Sequence, residues 1–310
     1  MKIATLFSGI GSPEQGAKRV YNNAEVVFAC ELDKFARQSY EANYNIQREH
    51  FHTDVNDLDG KQYKGHVDIL IGGSPCQTFS LSGLRKGTED EKGKLIYQYI
   101  RVVDECRPTV IVYENVKGIT SIDNGNTIKD FVQALRDIGY HCHYDILNTK
   151  DYGVPQSRER LYVVGFLDAD TYYRFDFAQK QQLKAKLSDI LIDEVNVDKK
   201  YYLSVTQVSS IINSTYNTTR NKIQYSDVSS TLTANNYKDP KCVNINGRIR
   251  KLTPRECFRL QDFPDSFKFV VSNSQLYKQA GNAMSVNILE MIFNQIEKAK
   301  ASQVHDGSLF

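Results

Sequence analysis

KIATLFSGIGS (residues 2–12) joins a short apolar run to a turn that contains two glycines. Similar runs, rich in β-branched residues, recur along the first half of the chain: EVVFAC (25–30), VDILIG (67–72), TVIVYE (109–114) and LYVVGF (161–166). Helical patterns fill the gaps between them. Apolar runs separated by helices predict a mostly parallel sheet covered on both faces, the α/β doubly wound, Rossmann-like architecture.

Beyond Phe166 this alternation fades into a Lys/Gln-rich stretch and then a long polar region. We therefore predict a second, smaller domain over residues 171–270, with residues 1–170 and 271–310 forming the larger one. In residues 285–300 the apolar positions have the spacing of a core-facing helix, which we expect to pack on the sheet domain. TPRE (253–256) is a capping box with proline at the first helical position and predicts the start of a helix.

Composition excludes several classes of protein. The chain of 310 residues has 41% hydrophobic and 25% charged residues, as ordinary globular proteins do. Its first residues form neither a signal peptide nor a membrane span, so we expect a cytoplasmic location and no membrane association. The six cysteines include no C-x-x-C pair, and the pairs His50/His52 and His141/His143 have no further ligand at a useful spacing. We assign no disulfide framework and no metal.

Positive charge is concentrated in one segment. Residues 199–255 contain ten Lys or Arg against two acids, a net +8 in a chain whose total is +2. A polar, basic stretch of this kind suits contact with a phosphate backbone. A solvated surface would have the same composition, so both interpretations stay open.

Ligands of doubly wound sheets bind at the carboxyl ends of the strands, and two loops with suitable residues lie there. FSGIG (7–11) follows the first run, and Glu31 ends the second run about 20 residues on, as a ribose-binding acid would. An ordinary strand-to-helix turn is the alternative. GGSPCQ (72–77) places Cys76 where a nucleophile would be useful, although most such cysteines are simply packed. Phe79 replaces the second cysteine of the zinc deaminase motif, which excludes that class.

Two further segments carry charged groups. Glu114 ends the run TVIVY, where partial burial would raise its pKa and let it donate a proton; a solvated residue or a cap is the alternative. QSRER (156–160) offers Arg158 and Arg160 on one face of an extended segment, suited to a phosphate or a polarised carbonyl. A surface salt-bridge cluster would explain this pair equally well.

Taken in order, these segments resemble the motif series of the C5-cytosine DNA methyltransferases. The resemblance covers nearly the whole chain outside roughly residues 170 to 245. Besides the segments above it includes Asp54-Val55, EDEKGKL (89–95), ENV (114–116), RKLTPRECFRLQDFP (250–264) and AGNAMSVNI (280–288).

The resemblance implies a methyltransferase sheet that binds S-adenosylmethionine, with S-adenosylhomocysteine as product. Leu32 stands where many members carry an aromatic residue, and Lys92 replaces a common arginine. Both departures bear on cofactor affinity rather than on the reaction. The residues assigned to cofactor binding are Phe7, Gly9, Ile10, Gly11, Glu31, Leu32, Asp54, Val55, Leu95, Asn282 and Ala283.

The same resemblance implies the chemistry. Cys76 would add to C6 of a cytosine and make C5 nucleophilic, Glu114 would support N3, and Arg160 would support the carbonyl side. No side chain is recognisable as the base that removes the C5 proton.

A stacked cytosine cannot reach a loop cysteine, so base flipping out of double-stranded DNA is implied, within a short specific sequence. Residues 171–270 would be the target-recognition domain. The predicted DNA contacts are Gln77, Ser80, Ser82, Arg158, Arg220, Lys222, Thr231 and Leu232.

Two other functions remain compatible with the sequence: a tRNA cytosine methyltransferase built on the same motifs, and a catalytically silent DNA-binding module. The short recognition region suggests a compact bacterial or phage enzyme of a restriction-modification or orphan system. We expect a monomer, with a cognate restriction endonuclease as a possible partner.

Overall fold

The computed structural model of the chain describes residues 1–75, 94–212, 223–224 and 226–301. The chain divides into two compact units. The first, here the sheet unit, comprises residues 1–147, 159–179 and the segment that begins at Ile288. The second unit comprises residues 148–158 and 180–287.

A seven-stranded sheet forms the centre of the sheet unit. Its strand order is β3-β2-β1-β4-β5-β8-β6. Strand β1 pairs in parallel with β2 and β4, β2 pairs in parallel with β3, and β4 in parallel with β5, whereas β5 and β8 are antiparallel. The predicted mostly parallel α/β fold is confirmed. Up to Arg174 the strands and helices of the chain, of which β7 belongs to the second unit, are β1 (Lys2–Leu6), α1 (Ser12–Val20), β2 (Glu25–Cys30), α2 (Lys34–Asn43), β3 (Phe51–His52), β4 (Ile69–Gly72), α3 (Lys94–Cys106), β5 (Val110–Val116), α4 (Asn126–Asp137), β6 (His141–Asn148), β7 (Gln156–Ser157), β8 (Glu159–Phe166) and α5 (Ala169–Arg174).

Strand β5 is longer than the sequence predicts. We expected it to end at Glu114, but it continues to Val116, because β8 pairs with it from Val110↔Phe166 to Val116↔Arg160. Glu114 is therefore a strand residue opposite Tyr162. The apolar pattern gave no sign of this extension, since it contains the polar residue Asn115, which is 2% exposed and hydrogen-bonded to the Tyr113 hydroxyl and to Ser74 O.

The C-terminal helix α10 (Val286–Ala301) confirms the predicted amphipathic segment. Ile288, Leu289, Ile292, Phe293 and Ile296 are at most 1% exposed. Full burial of one such side chain stabilises a fold by about 1.5–3 kcal/mol. The helix packs on α1, where a Cβ on Gly16 would lie 3.0 Å from Cβ of Leu289. Its predicted attachment to the sheet domain is thus observed.

The second unit consists of short elements. Strands β11, β12 and β9 form a three-stranded sheet, and β10 pairs with β7. The elements that follow α5 are α6 (Leu187–Ile190), α7 (Val205–Ile212), β9 (Ile223–Gln224), β10 (Ser229–Ser230), β11 (Cys242–Ile245), β12 (Arg248–Lys251), α8 (Pro254–Arg259) and α9 (Asn273–Asn282).

The units have different boundaries from the domains that we predicted. Residues 148–158 and 271–287 lie in the second unit rather than with the sheet. Helix α9 packs closely within this unit: a Cβ on Gly281 would lie 2.1 Å from the backbone carbon of Thr233. Only glycine permits that approach, and no periodic pattern announces it.

A buried ion pair lies at the predicted capping box in the second unit. Thr253 and Glu256 cap α8 reciprocally, as the sequence predicted. The Glu256 carboxylate also contacts Arg250 Nη2 at 2.8 Å and accepts a hydrogen bond from Ile192 N at 2.9 Å. Both side chains of the pair are 0% exposed. Since neither charge reaches water, the Glu256 carboxylate depends on Arg250 for its counter-charge, whereas Arg250 also contacts Glu194 Oε1 at 2.7 Å.

None of the helices in the described part of the chain combines the length and apolar character needed to cross a bilayer. Among the same residues, no group of three His, Cys, Asp or Glu side chains is placed to hold a metal ion. The histidines have structural contacts instead: His52 Nε2 lies 2.7 Å from the Tyr63 hydroxyl, and His143 stacks on Tyr172.

Replacing Arg250 tests how much the buried pair contributes to the stability of the fold. We expect Arg250→Met to lower the free energy of unfolding by about 3 kcal/mol or more, because it leaves the Glu256 carboxylate buried without a cation. Lys186→Met is the matched control, since the Lys186–Asp227 pair is 59% and 67% exposed, and we expect it to change stability by less than about 1 kcal/mol. Urea unfolding of both variants measures the difference. Equal losses of unfolding free energy in the two variants would show that the buried pair stabilises the fold no more than an exposed pair does.

Candidate active site

One row of paired residues crosses the sheet at the carboxyl ends of its parallel strands. Cys30 of β2 pairs with Leu6 of β1, Leu6 with Gly72 of β4, and Gly72 with Tyr113 of β5. The chain leaves this row at Glu31, Phe7, Gly73 and Glu114. Because the strand order reverses direction at β1, with β2 on one side and β4 on the other, the row crosses the topological switch point, where ligands bind in such sheets.

The segment Phe7–Gly11, here the glycine loop, turns sharply from β1 into α1. Phe7, Gly9 and Gly11 have φ values of 54°, 56° and 87°. Gly11 must be glycine, because a Cβ there would lie 2.2 Å from the Tyr44 ring, whose hydroxyl donates to Gly11 O at 2.7 Å. At Gly9, by contrast, a Cβ would meet only Phe7 O, at 4.0 Å. The loop therefore presents open backbone at Gly9.

Glu31 is held against the glycine loop by backbone donors. Gly9 N donates to Glu31 Oε2 and Asp33 N donates to Oε1, each at 2.8 Å. Burial raises the pKa of Glu31, against the lowering effect of these two N–H groups. The carboxyl group is thus oriented, partly desolvated and fixed beside open backbone.

These features fit an adenosine nucleoside. A fixed carboxylate can accept hydrogen bonds from ribose hydroxyls, and the open backbone at Gly9 permits close approach of a ligand. Leu32 adds an apolar side chain that is 69% exposed, next in sequence to Glu31. Ile10 is 2% exposed and points into the protein, so its own contribution to a ligand site would be through the backbone.

Asp54 and Val55 follow β3 in a turn. Asp54 Oδ1 accepts a hydrogen bond from Asn56 N at 2.9 Å, and Val55 is 4% exposed. Arg101 on α3 holds this turn by donating to Val55 O at 2.7 Å and Leu58 O at 2.9 Å. Sequence reasoning missed Arg101, which no motif marks. Leu95, near the start of α3, is half-buried against the core.

Ser74 anchors the chain just before the predicted nucleophile. Its hydroxyl lies 2.6 Å from the Tyr113 hydroxyl, and its carbonyl accepts a hydrogen bond from Asn115 Nδ2 at 3.2 Å. Cys76, Gln77, Ser80, Ser82 and Lys92 lie outside the described residues. Ser74 and Asn115 nevertheless tie the chain, two residues before Cys76, to both neighbours of Glu114 in β5.

Glu114 and Arg160 form an ion pair on adjacent strands. Arg160 Nε lies 3.2 Å from Glu114 Oε1, and the two side chains are 15% and 13% exposed. The antiparallel pairing of β5 with β8 brings them together, since Arg160 opposes Val116, two residues beyond Glu114. The structure thus unites two of the three predicted catalytic residues.

Arg158 has a different role from the one we predicted. It is 2% exposed, and its guanidinium donates to three carbonyls of the second unit: Leu232 O at 2.9 Å, Ala283 O at 2.8 Å and Gly281 O at 3.2 Å. A guanidinium buried in this way cannot meet a DNA phosphate, so the predicted contact is wrong for this conformation.

The Thr231-Leu232 pair is fixed by QSRER. Thr231 Oγ1 donates to Ser157 O at 2.6 Å, and Leu232 N donates to Gln156 Oε1 at 2.9 Å. Leu232 is 1% exposed, so its side chain belongs to the core of the second unit and not to a DNA-contacting surface. Thr231 is half-buried.

The remaining predicted residues are distributed as follows. Asn282 is exposed and Ala283 is 6% exposed at the end of α9. Arg220 and Lys222 lie outside the described residues. Two of the ten basic residues in segment 199–255 are buried, since Arg250 and Lys241 are 0% and 8% exposed. The net charge of the segment therefore overstates the charge available to a polyanion.

Comparison with known proteins identifies the family of the chain. The family model described as C-5 cytosine-specific DNA methylase matches residues 1–298. The chain is 35% identical to the type II methyltransferase M.Bsp6I of Bacillus sp. strain RFL6 over 317 residues, covering 96% of this chain and 99% of the relative. It is 31% identical to the orphan methyltransferase M.SPRI of Bacillus phage SPR, with coverage of 96% and 97%.

Among solved structures, the fold is similar to that of the Entamoeba histolytica methyltransferase EhMeth, with a TM-score of 0.77 at 18% identity. That comparison covers 96% of this chain and 98% of the other. The family match spans nearly all of the chain, including both units. The chain belongs to the C-5 cytosine-specific DNA methylases and is an S-adenosylmethionine-dependent DNA (cytosine-5-)-methyltransferase.

Proposed function

We propose that this enzyme methylates a flipped-out cytosine within a short, specific sequence of double-stranded DNA, with Cys76 as nucleophile and Glu114 and Arg160 as its catalytic partners. The observation that carries the proposal is the Glu114–Arg160 ion pair, at the same sheet edge as the Ser74 anchor and the Glu31-bound glycine loop. A nucleophile, a pair of base-contacting groups and a cofactor site would then share one edge.

The glycine loop and Glu31 would hold S-adenosylmethionine. Glu31 would accept hydrogen bonds from the ribose, the open backbone at Gly9 would allow close approach, and Leu32 and Asp54 would contact the adenine. Leu95, Asn282 and Ala283 are further proposed contacts. When bound, the cofactor supplies an electrophilic sulfonium methyl group.

The residues of the chain would act on the base. The Cys76 thiolate forms a bond to C6, and the electron pair of the C5–C6 double bond becomes available at C5. Glu114 hydrogen-bonds N3, and Arg160 both orients Glu114 and supports the cytosine carbonyl. After C5 has gained its methyl group it loses its proton to a base, the double bond returns, and the thiolate leaves.

The second unit would recognise the DNA. Flipping a base costs a few kcal/mol, which contacts outside the reacting base must offset. Arg220 and Lys222 are proposed to contact phosphates, and Thr231, held on Ser157, to lie at the DNA. Gln77, Ser80 and Ser82, which follow Cys76 in the sequence, are the proposed contacts to the flipped nucleotide.

The names of the relatives suggest two biological settings. Type II methyltransferases are partners of restriction systems, which would give this enzyme a cognate endonuclease, whereas an orphan phage enzyme has none. We propose a monomer that acts in the cytoplasm in either setting.

Bisulfite sequencing of plasmid DNA from expressing cells tests the proposed function. We expect protected cytosines in one short recurring sequence, and a loss of at least about 10³-fold in Cys76→Ala, because the nucleophile is gone. Cys142→Ala, which removes a buried cysteine of the sheet unit, should retain methylation. Protection by Cys76→Ala would refute the mechanism, and methylation of tRNA in preference to DNA would refute the substrate.

Glu31→Ala tests the cofactor site. We expect its Kd for S-adenosylmethionine, measured by calorimetry, to rise about tenfold or more, since a hydrogen bond to a charged group contributes roughly 1.5–3 kcal/mol. Glu25→Ala removes an exposed carboxylate at the opposite end of β2 and should leave the affinity unchanged. Unaltered binding by Glu31→Ala would remove Glu31 from the site.

Salt dependence tests the proposed phosphate contacts. Replacing Arg220 and Lys222 by Gln should weaken DNA binding more at low salt than at high salt, and lower the slope of log K against log salt by about 0.9 per lost contact. Replacing the exposed Lys61 and Lys64 of the sheet unit by Gln changes the net charge equally. If both pairs alter the slope alike, Arg220 and Lys222 make no specific phosphate contact.

A further inference from the structure

Glu14, in the first turn of α1, is a buried carboxyl group that the reaction does not use. It is 1% exposed. Its Oε1 accepts hydrogen bonds from Thr5 Oγ1 at 2.7 Å and from the Tyr40 hydroxyl at 2.8 Å. Its Oε2 is buried and has no hydrogen-bond partner among the described residues. An ionised carboxylate with one oxygen unsatisfied is a costly group to bury, so its presence calls for a reason.

The surroundings favour the neutral form of Glu14. Burial raises its pKa and outweighs the donors Thr5 and Tyr40 and the positive charge of Lys18. From α2, Tyr40 and Tyr44 face this region, and burial raises the pKa of both hydroxyls as well. Lys18 lies over the Tyr44 ring at 4.4 Å, and on the α10 side Glu290 is paired with Arg19.

Glu14 is connected to the glycine loop by a chain of hydroxyl groups. Thr5 Oγ1, which donates to Glu14, lies 2.8 Å from Ser8 Oγ. Ser8 Oγ in turn accepts from Cys30 N at 3.1 Å, directly before Glu31. With Thr5 donating to Glu14, Thr5 Oγ1 is free to accept from the Ser8 hydroxyl, which also has the backbone oxygens of Thr5 and Cys30 as acceptors, each at 3.1 Å. The carboxyl oxygen is the terminal acceptor of this chain.

We propose that Glu14 is a positioning residue for the cofactor, which acts through Thr5 and Ser8 to hold the glycine loop in the conformation that binds S-adenosylmethionine. The inference rests on the proposed assignment of the loop and Glu31 to the cofactor. Glu14 itself touches no reacting atom, so its removal should act on cofactor affinity and on KM for the cofactor rather than on kcat.

Two nearly isosteric variants test whether Glu14 acts on the glycine loop through Thr5, or whether any hydrogen bond to its carboxyl group matters equally. Thr5→Val and Tyr40→Phe each remove one hydrogen bond to the same Glu14 oxygen, but only Thr5 lies on the path to Ser8. We expect Thr5→Val to raise the Kd for S-adenosylmethionine about fivefold to tenfold, and Tyr40→Phe to change it less than about twofold. Equal effects of the two variants, or none, would overturn the proposal.

Variants of Glu14 provide the second measurement. Glu14→Gln keeps an acceptor at Oε1, so cofactor affinity should stay within about twofold of the wild type, whereas Glu14→Leu should weaken binding about tenfold. Ile128→Ala, a core change in α4 of the sheet unit, controls for loss of stability alone. Wild-type affinity in Glu14→Leu, or equal weakening in Ile128→Ala at a similar loss of Tm, would contradict the inference.

The pH dependence of stability reports whether Glu14 is neutral, even if Glu14→Leu does not fold. In the unfolded chain Glu14 ionises above its ordinary pKa of 4.5, whereas the folded protein keeps the proton to higher pH. Wild-type stability should therefore fall relative to Glu14→Gln as pH rises above 4.5. A difference in Tm that does not change with pH would mean that Glu14 is ionised in the fold, contrary to the neutral acceptor inferred here.

The Glu31→Ala variant distinguishes the two levels of inference. If Glu31→Ala weakens cofactor binding while Thr5→Val and Glu14→Leu do not, the proposed cofactor site stands and the role of Glu14 is refuted. If Glu31→Ala binds the cofactor normally, the site assignment fails and the role of Glu14 fails with it.

Discussion

The parallel pairing of β1 with both β2 and β4 is the constraint on which the candidate site depends. It sets Cys30, Leu6 and Gly72 in one row, so three separate segments of the chain leave the sheet at the same level. The backbone hydrogen bonds of the sheet bring these segments together, so the side chains of the site are placed near one another by strand pairing. A slip of one residue in either pairing would turn the side chains to the opposite face of the sheet.

Beyond the sheet, two arginine side chains satisfy backbone carbonyls that regular secondary structure leaves unpaired. Arg158 donates to the carbonyls of Leu232, Gly281 and Ala283, and Arg101 to those of Val55 and Leu58. These carbonyls lie in turns and helix ends, where the backbone offers no regular partner, and a buried carbonyl without a donor would cost stability. The planar guanidinium suits the task because one side chain reaches several acceptors at once.

The limits of sequence reasoning follow from the same physics. Apolar runs report burial, so β1, β2, β4 and α10 could be predicted from them, and the capping box predicted α8. Glu114 was expected at the end of its strand, and the extension of the strand to Val116 could not be predicted because the residues beyond Glu114 continue no apolar run. Arg158 and Arg160 look equivalent two residues apart, yet one is buried among carbonyls and the other pairs with Glu114. Glu14 and Arg101 were missed because the groups that give them their roles, Thr5 and Tyr40 for Glu14 and the carbonyls of Val55 and Leu58 for Arg101, are distant in sequence.

The site contains two carboxyl groups whose surroundings differ in kind. Glu31 is oriented by neutral backbone N–H groups, and burial raises its pKa. Glu114 instead has the guanidinium of Arg160 at 3.2 Å. Amide donors fix the position of a carboxyl group without neutralising its charge, which leaves its field available to a ligand, whereas a guanidinium compensates the charge locally. Since β1 and β4 lie between β2 and β5 in the sheet, each carboxyl group can keep its own environment. One sheet edge can thus carry two carboxyl groups, one held by backbone amides and the other paired with a guanidinium.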